Sequence, residues 1–178
     1  LNILIFTLVF IFFELTVRSI WSIKHFKNPH VSYWGKTWYP SKEDTFLSFD
    51  PVLGSLPIPG FYNENINIPR WPKNTKVSIN NLGFRDNDNK NLELSETSRI
   101  LIIGDSFAFG DQVSNNQTWT SCIERKLKIR SDNGGVGGYG AAQSILRAQY
   151  EISKRNYTTI IWSIVFDDFD RDLNSNSN

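Results

Sequence analysis

The stretch Arg99-Ile-Leu-Ile-Ile-Gly-Asp-Ser-Phe-Ala-Phe-Gly110 decides the fold. Its apolar run, residues 100–103, has the length and composition of a short strand. The strand ends at Gly104, a polar turn carrying Ser106 follows, and a helical pattern begins near Gln117. In an open α/β sheet, ligands bind just beyond the carboxyl ends of the strands. Ser106 is therefore predicted to lie where a nucleophile or a binding hydroxyl is placed, although Gly-Asp-Ser is also common turn chemistry.

Two further strands alternate with helices along the chain. A short polar strand is predicted at residues 129–133, and a β-branched, apolar strand buried on both faces is predicted at residues 158–166. Ser114 and Gln117 have the spacing of a capping box for the helix between the first two strands. Apolar residues at helical spacing mark a second helix around residues 142–152. This alternation predicts an α/β fold with a parallel sheet.

Two more segments accompany the Gly-Asp-Ser turn. Asn133-Gly-Gly-Val-Gly-Gly-Tyr-Gly140 follows one helix later, and Phe166-Asp-Asp-Phe169 closes the third strand. Together the three segments resemble the first three sequence blocks of the SGNH/GDSL hydrolase family over residues 77–172. The family's fourth block, Asp-x-x-His, has no counterpart before the chain ends. The resemblance implies a flavodoxin-like three-layer α/β/α domain, incomplete at its C-terminus, with the strand order 2-1-3.

The resemblance also implies which residues act. In the family, a serine is the nucleophile of acyl transfer, and the oxyanion is bound by the serine N–H, a glycine N–H and an asparagine. The residues at these positions are Ser106, Gly138 and Asp167. Asp167 departs from the pattern, because an ionised aspartate cannot donate a hydrogen bond. The only histidines, His25 and His30, lie far upstream, so the sequence shows no recognisable general base.

The activity implied by the resemblance is that of a serine esterase or O-acyltransferase acting on ester groups, such as O-acetyl groups of a cell-envelope carbohydrate. No cofactor and no metal are implied. A non-catalytic carbohydrate-binding relative is the alternative. A nucleotide-binding module is a third interpretation, because residues 135–140 satisfy Gly-x-Gly-x-x-Gly. It is disfavoured, since the preceding segment is polar and no acidic residue lies about twenty positions beyond.

Composition bounds the class of protein. The 178 residues are enough for one domain and a short appendage. A net charge of +1 argues against a nucleic-acid partner. A single cysteine, Cys122, excludes an internal disulfide. Residues 99–178 are predicted to form the N-terminal part of the hydrolase-type domain.

Residues 1–21 are almost wholly apolar and predict a single-pass membrane anchor. Thirteen helical residues span about 20 Å, less than the roughly 30 Å of the hydrocarbon core, so a full span needs residues before Leu1. The chain contains no methionine, and we interpret it as a fragment. A signal-peptide core and a buried helix are the alternatives. Flanking Arg18, Lys24 and Lys27 favour a cytoplasmic body, whereas the resemblance favours an extracytoplasmic one; the orientation stays open.

Residues 22–98 are predicted to form an irregular, β-containing linker region. Their aromatic residues at positions 33, 34, 38 and 39 suit a sugar-binding face, a membrane interface or simple packing. Two segments, around residues 50–54 and 77–85, have the pattern of paired strands with turns. We therefore expect a small β structure ahead of the parallel sheet.

Overall fold

The computed structural model describes Thr7 and residues 11–16, 45–68 and 71–174. The chain divides into two units, Leu1–Tyr39 and Pro40–Asn178. Residues 11–16 of the first unit are helical, and among the described residues no helix is long and apolar enough to cross a membrane. Most of the predicted anchor at residues 1–21 lies outside the described residues. So do both histidines and the aromatic residues at positions 33–39.

A three-stranded parallel sheet forms the centre of the second unit. Its strands are β5 (Ser95–Gly104), β6 (Ile129–Asn133) and β7 (Thr159–Ser163), in the spatial order β6-β5-β7. The α/β class, the parallel pairing and the order 2-1-3 are thereby confirmed. Strand β5 begins at Ser95 rather than Arg99, and its pairing with β6 shifts register between these two residues.

Helices cover both faces of the sheet. The helical elements are α1 (Ser106–Phe109), a 3-10 turn (Asn115–Gln117), α2 (Trp119–Leu127), α3 (Ala141–Ile152) and α4 (Phe166–Asn174). Successive side chains of a strand point to opposite faces. Accordingly, Ile100 and Ile102 of β5 pack against α2, whereas Leu101 and Ile103 contact Ala148 of α3.

The predicted capping box forms, but it caps a different element. The side-chain oxygen of Gln117 accepts a hydrogen bond from the Ser114 N–H, closing the 3-10 turn. Helix α2 begins at Trp119, and its N-cap is Thr118, whose hydroxyl accepts from the Ser121 N–H. A short 3-10 turn therefore separates the predicted cap from the helix.

The third strand is shorter than predicted. It ends at Ser163, and the segment Phe166–Asn174 is helix α4 rather than the polar end of a strand. The Asp168 carboxylate accepts a hydrogen bond from the Val165 N–H, which caps the new helix. Acidic side chains in a first helical turn also interact favourably with the helix dipole. The prediction of a strand extending to residue 166 is wrong for this reason.

Strand β7 is also less buried than predicted. Ile160 and Trp162 are 46% and 39% exposed. Within the described residues β7 pairs only with β5, so it is an edge strand. The prediction of burial on both faces is therefore wrong for these residues.

The predicted β structure ahead of the sheet consists of two antiparallel pairs. Strand β1 (Leu47–Asp50) pairs with β2 (Gly54–Pro57), and β3 (Tyr62–Asn63) pairs with β4 (Val77–Ser78). They contribute to the core: the Phe46 ring stacks on the Phe109 ring at 4.9 Å, and Leu53 clusters with Val136 and Tyr139. This β structure thus packs against α1 and the glycine-rich loop that follows β6.

Candidate functional site

The candidate site lies at the carboxyl ends of β5 and β7. From β5 the chain passes to β6 on one side and then crosses to β7 on the other, so the strand order reverses between β5 and β7. Open α/β sheets bind ligands at such a reversal. Gly104 ends β5 with φ +145°, and a Cβ there would lie 2.2 Å from the Ser163 carbonyl oxygen. Only glycine lets the two strand ends approach this closely, immediately before the turn that carries Ser106.

A buried carboxylate fixes that turn. Asp105 is fully buried, and its Oδ1 accepts a hydrogen bond of 2.9 Å from the Phe107 N–H. Its Oδ2 lies 3.2 Å from the guanidinium of Arg171. Ser106, the first residue of α1, is half-buried. Asp105 therefore holds the backbone of the turn, while the Ser106 side chain remains accessible.

The glycine-rich loop, residues 134–140, packs directly on this turn. Asn133 is buried, accepts a hydrogen bond from the Gly135 N–H and donates one to the Phe109 carbonyl. A Cβ at Gly135 would lie 2.2 Å from the Phe109 nitrogen, so a side chain is excluded there. The Cβ position of Gly137 is 3.9 Å from the Ser106 Cβ. The loop therefore forms one wall beside Ser106.

Gly138 lies on the open side of this loop. It has φ +84°, and no atom lies within 4 Å of the position its Cβ would take. Neither its N–H nor that of Ser106 donates a hydrogen bond to another residue in the described part of the chain. Both predicted main-chain oxyanion donors therefore lack a hydrogen-bond acceptor within the described part of the chain.

Arg171 connects the third sequence block, residues 166–169, to the Gly-Asp-Ser turn and to the glycine-rich loop. Arg171 donates to Asp105, to Asp168 at 2.5 Å and to the Tyr139 carbonyl at 2.9 Å. Asp168 is fully buried, whereas Asp167 is exposed in the first turn of α4. Within the described residues, no hydrogen bond or ion pair joins Asp167 to Ser106 or Gly138. Asp168, not Asp167, is the residue of this block that contacts the network around the turn.

Two residues of the candidate site were not predicted from the sequence. The first is Arg85. It is buried, and its guanidinium donates to the carbonyl oxygens of Phe109, Gly110 and Val113 and to the Asn115 side chain. Burial lowers the Arg85 pKa to about 10. These four acceptors lie 24 to 30 residues away along the chain, and a further acceptor, the Lys76 carbonyl, lies nine residues away, so no local pattern reveals them.

Asp111 is the second. It lies in the loop that Arg85 holds, and its Oδ2 is 3.9 Å from the Cβ position of Gly137, the same point that approaches Ser106. Burial raises the Asp111 pKa to about 7, with the attraction of Arg85 acting in the opposite direction. A carboxyl with a raised pKa beside a candidate nucleophile makes Asp111 a candidate for the functional site.

The nucleotide-binding interpretation fits the glycine loop poorly. In dinucleotide-binding folds, the pyrophosphate occupies the N-terminus of the helix after the glycine loop. Here the Asp172 carboxylate accepts a hydrogen bond of 2.8 Å from the Ala142 N–H at the start of α3. The anion-binding end of that helix is thus already occupied by an acidic side chain.

Comparison with known proteins gives no assignment. No protein-family model matches the chain, and no curated protein matches it either.

Proposed function

We propose that Ser106 is the nucleophile of an SGNH-type serine esterase or O-acyltransferase acting on O-acyl groups of a carbohydrate. One observation carries this proposal: Ser106 directly follows the middle strand at the reversal of strand order, against a glycine loop. The order β6-β5-β7 and the helices on both faces support the flavodoxin-like arrangement that the resemblance implies. The apolar composition of residues 1–21 supports attachment of this enzyme to a membrane.

In the proposed reaction, the Ser106 hydroxyl attacks the acyl carbon, and the leaving alcohol departs from the tetrahedral intermediate. The negative oxygen of that intermediate receives hydrogen bonds from the N–H groups of Ser106 and Gly138. One such donor is typically worth about 10²–10³ in kcat. The resemblance places the third donor at Asp167, which donates only when protonated.

The experiment that tests the proposal is covalent modification of Ser106. Paraoxon, a neutral phosphotriester, phosphorylates a serine whose neighbouring N–H donors stabilise the phosphoryl oxygen, and after long incubation mass spectrometry locates the residue modified in this single, stoichiometric step. We expect selective modification of Ser106, no modification at that site in Ser106→Ala, and unchanged reactivity in Ser48→Ala, which removes an exposed serine of β1. Modification spread evenly over the chain's serines would contradict the proposal.

Turnover of p-nitrophenyl acetate is the second measurement. We expect negligible turnover by this chain, because repeated turnover also requires water to hydrolyse the acyl-serine, and the absence of a general base for that step costs about 10²–10⁴ in rate. A large rate that disappears in Ser106→Ala would show that a base lies within these 178 residues.

A non-catalytic carbohydrate-binding function is the second candidate. It is favoured by Asp167, whose exposed carboxylate stands where the resemblance requires a hydrogen-bond donor. This candidate predicts saturation-transfer NMR signals from acetylated oligosaccharides together with no paraoxon modification of Ser106. The two measurements therefore separate the two functions.

A further inference from the structure

The loop after α1 holds Asp111 in a defined orientation. Gly110 and Gln112, on either side of Asp111, both have left-handed backbone conformations, with φ of +85° and +68°. This conformation is unfavourable for a residue with a Cβ, such as Gln112. The Asp111 N–H donates a hydrogen bond of 3.0 Å to the Ser106 carbonyl. The chain therefore turns sharply at Asp111 and is bonded back to the nucleophile turn.

Arg85 holds this loop from beneath. Its guanidinium donates to the Gly110 carbonyl at 2.6 Å and to the Val113 carbonyl, the residues that bracket Asp111 and Gln112. These bonds go to carbonyl oxygens rather than to the Asp111 carboxylate. Arg85 thus attracts Asp111 electrostatically without hydrogen-bonding to it.

The Asp111 carboxylate and Ser106 border the same gap. Asp111 Oδ2 and Ser106 Cβ are each 3.9 Å from the Cβ position of Gly137, so they are no more than twice that distance apart. Gly137 has no side chain to fill the space between them. In the described part of the chain, the Asp111 carboxylate accepts no hydrogen bond. A group bound in this gap would contact both side chains.

We propose that Asp111 selects the substrate at Ser106, by accepting a hydrogen bond from a hydroxyl or ammonium group next to the ester and by repelling anionic esters. The inference rests on the proposed function of Ser106 and names the chemical class of its substrate: esters that carry hydrogen-bond donors. Neutral, hydroxyl-rich carbohydrate esters belong to this class, whereas esters with a neighbouring carboxylate or phosphate do not.

The selection depends on pH because Asp111 must be ionised. The charged groups that act on it are Arg85, which attracts, and Asp105, which repels. Burial is the largest influence and raises the Asp111 pKa to about 7. The preference for donor groups is therefore weak at pH 5.5 and fully developed at pH 8.5.

The test compares three p-nitrophenyl phosphotriesters that differ in one arm. The arm is 2-guanidinoethyl (cationic, with N–H donors at both pH values), 3,3-dimethylbutyl (neutral, of similar size) or carboxyethyl (anionic). In each reaction a bond forms between Ser106 Oγ and phosphorus, the bond to the aryl oxygen breaks, p-nitrophenolate leaves, and the serine proton passes to solvent. Mass spectrometry of the full chain gives the rate of Ser106 modification at pH 5.5 and pH 8.5.

We expect the ratio of the cationic to the anionic rate to rise on the order of tenfold between these pH values. Asp111→Asn should hold the ratio constant, and Asp111→Glu should retain the rise. Asp170→Asn, which removes an exposed carboxylate of α4, is the matched control and should behave like the unsubstituted chain. Circular dichroism verifies that each variant folds.

Each remaining result would overturn a specific statement. A constant ratio in the unsubstituted chain, or an equal rise in Asp111→Asn, would overturn the role of Asp111 while leaving Ser106 as the nucleophile. If none of the three reagents modifies Ser106 at either pH, the proposed function fails and the inference fails with it.

Discussion

The burial of the two outer strands of the sheet, β6 and β7, is the opposite of what their residue composition predicts. Strand β6 ends in Ser131-Asp132-Asn133, three polar residues that are almost completely buried. Strand β7 is apolar, yet Ile160 and Trp162 are exposed. From hydropathy alone, β7 would be predicted to be buried and the polar end of β6 to be exposed.

Hydrogen-bond partners explain the burial of β6. The Ser131 N–H donates to the Glu124 carboxylate, and Asn133 bonds the Phe109 carbonyl. Asp132 pairs with the Arg99 guanidinium and accepts from the Tyr157 hydroxyl at 2.8 Å. A buried polar group costs little once it is hydrogen-bonded, whereas an apolar strand is buried only if something covers it. Burial therefore follows available partners rather than residue type.

The largest expected effect comes from removing a partner of β6. Glu124 accepts hydrogen bonds from the Ser131 N–H and from the Asn87 side-chain amide, which also donates to the Ser131 carbonyl. Glu124→Leu therefore leaves the Ser131 N–H and one N–H of the Asn87 amide buried and unpaired. We expect the free energy of unfolding to fall by about 2–6 kcal/mol, at about 1–3 kcal/mol for each of the two unsatisfied groups. Urea unfolding measures it, with Glu93→Leu, at an exposed position, as control. A loss below about 1 kcal/mol would contradict our explanation for the burial of the polar residues of β6.

A smaller effect is expected where a buried carboxylate lacks a partner. The Asp111 pKa is raised from 3.8 to about 7 in the folded chain. Between these values the unfolded chain releases its proton first, so stability falls as pH rises from 4 to 7 and then levels off. Asp111→Asn should lack this decline and be more stable at pH 8, by on the order of 2–4 kcal/mol. Urea unfolding from pH 4 to 8 tests this, and parallel curves for the two proteins would contradict it.

The smallest effect is expected on β7. Ile160→Thr replaces an exposed apolar residue with another β-branched one, and we expect a change within about 0.5 kcal/mol. Ile102→Thr, the same substitution at a fully buried position of β5, is the matched control and should cost about 2 kcal/mol or more. Similar losses at both positions in urea unfolding would mean that β7 is covered in solution.

Local patterns were sufficient to predict the sheet. The apolar run at residues 100–103, the turn at Gly104 and the helical spacing that follows are all short-range signals, and they predicted the parallel strands. The order of the strands was predicted from the family resemblance. The burial of individual residues was harder to predict from local patterns. In α3 the apolar residues Ile145 and Leu146 are exposed, whereas Arg147 and Glu151 are buried as an ion pair at 3.1 Å. That pair is satisfied by contacts such as the Arg147 bond to the Gly83 carbonyl, 64 residues away.

The residues of the candidate site fall into the same two groups, those that local sequence predicts and those that it does not. The positions of Ser106 and Gly138 follow from turns that the local sequence specifies. Arg85, Asp111 and Arg171 owe their importance to contacts between segments distant in sequence, and nothing in their immediate neighbours distinguishes them. Only the folded chain shows that they contact the segments around the serine: Arg171 bonds to Asp105, Arg85 to the loop after α1, and Asp111 lies in that loop.

The reach of Arg171 to Asp105 has a consequence during protein synthesis. The two residues are 66 positions apart, so the ribosome adds the aspartate long before its cationic partner. At about 5–20 residues per second, this delay is roughly 3–13 s. Throughout that interval the nascent chain has an aspartate that its fold will bury and no arginine to neutralise it. The serine turn is therefore completed only after strand β7 has been made.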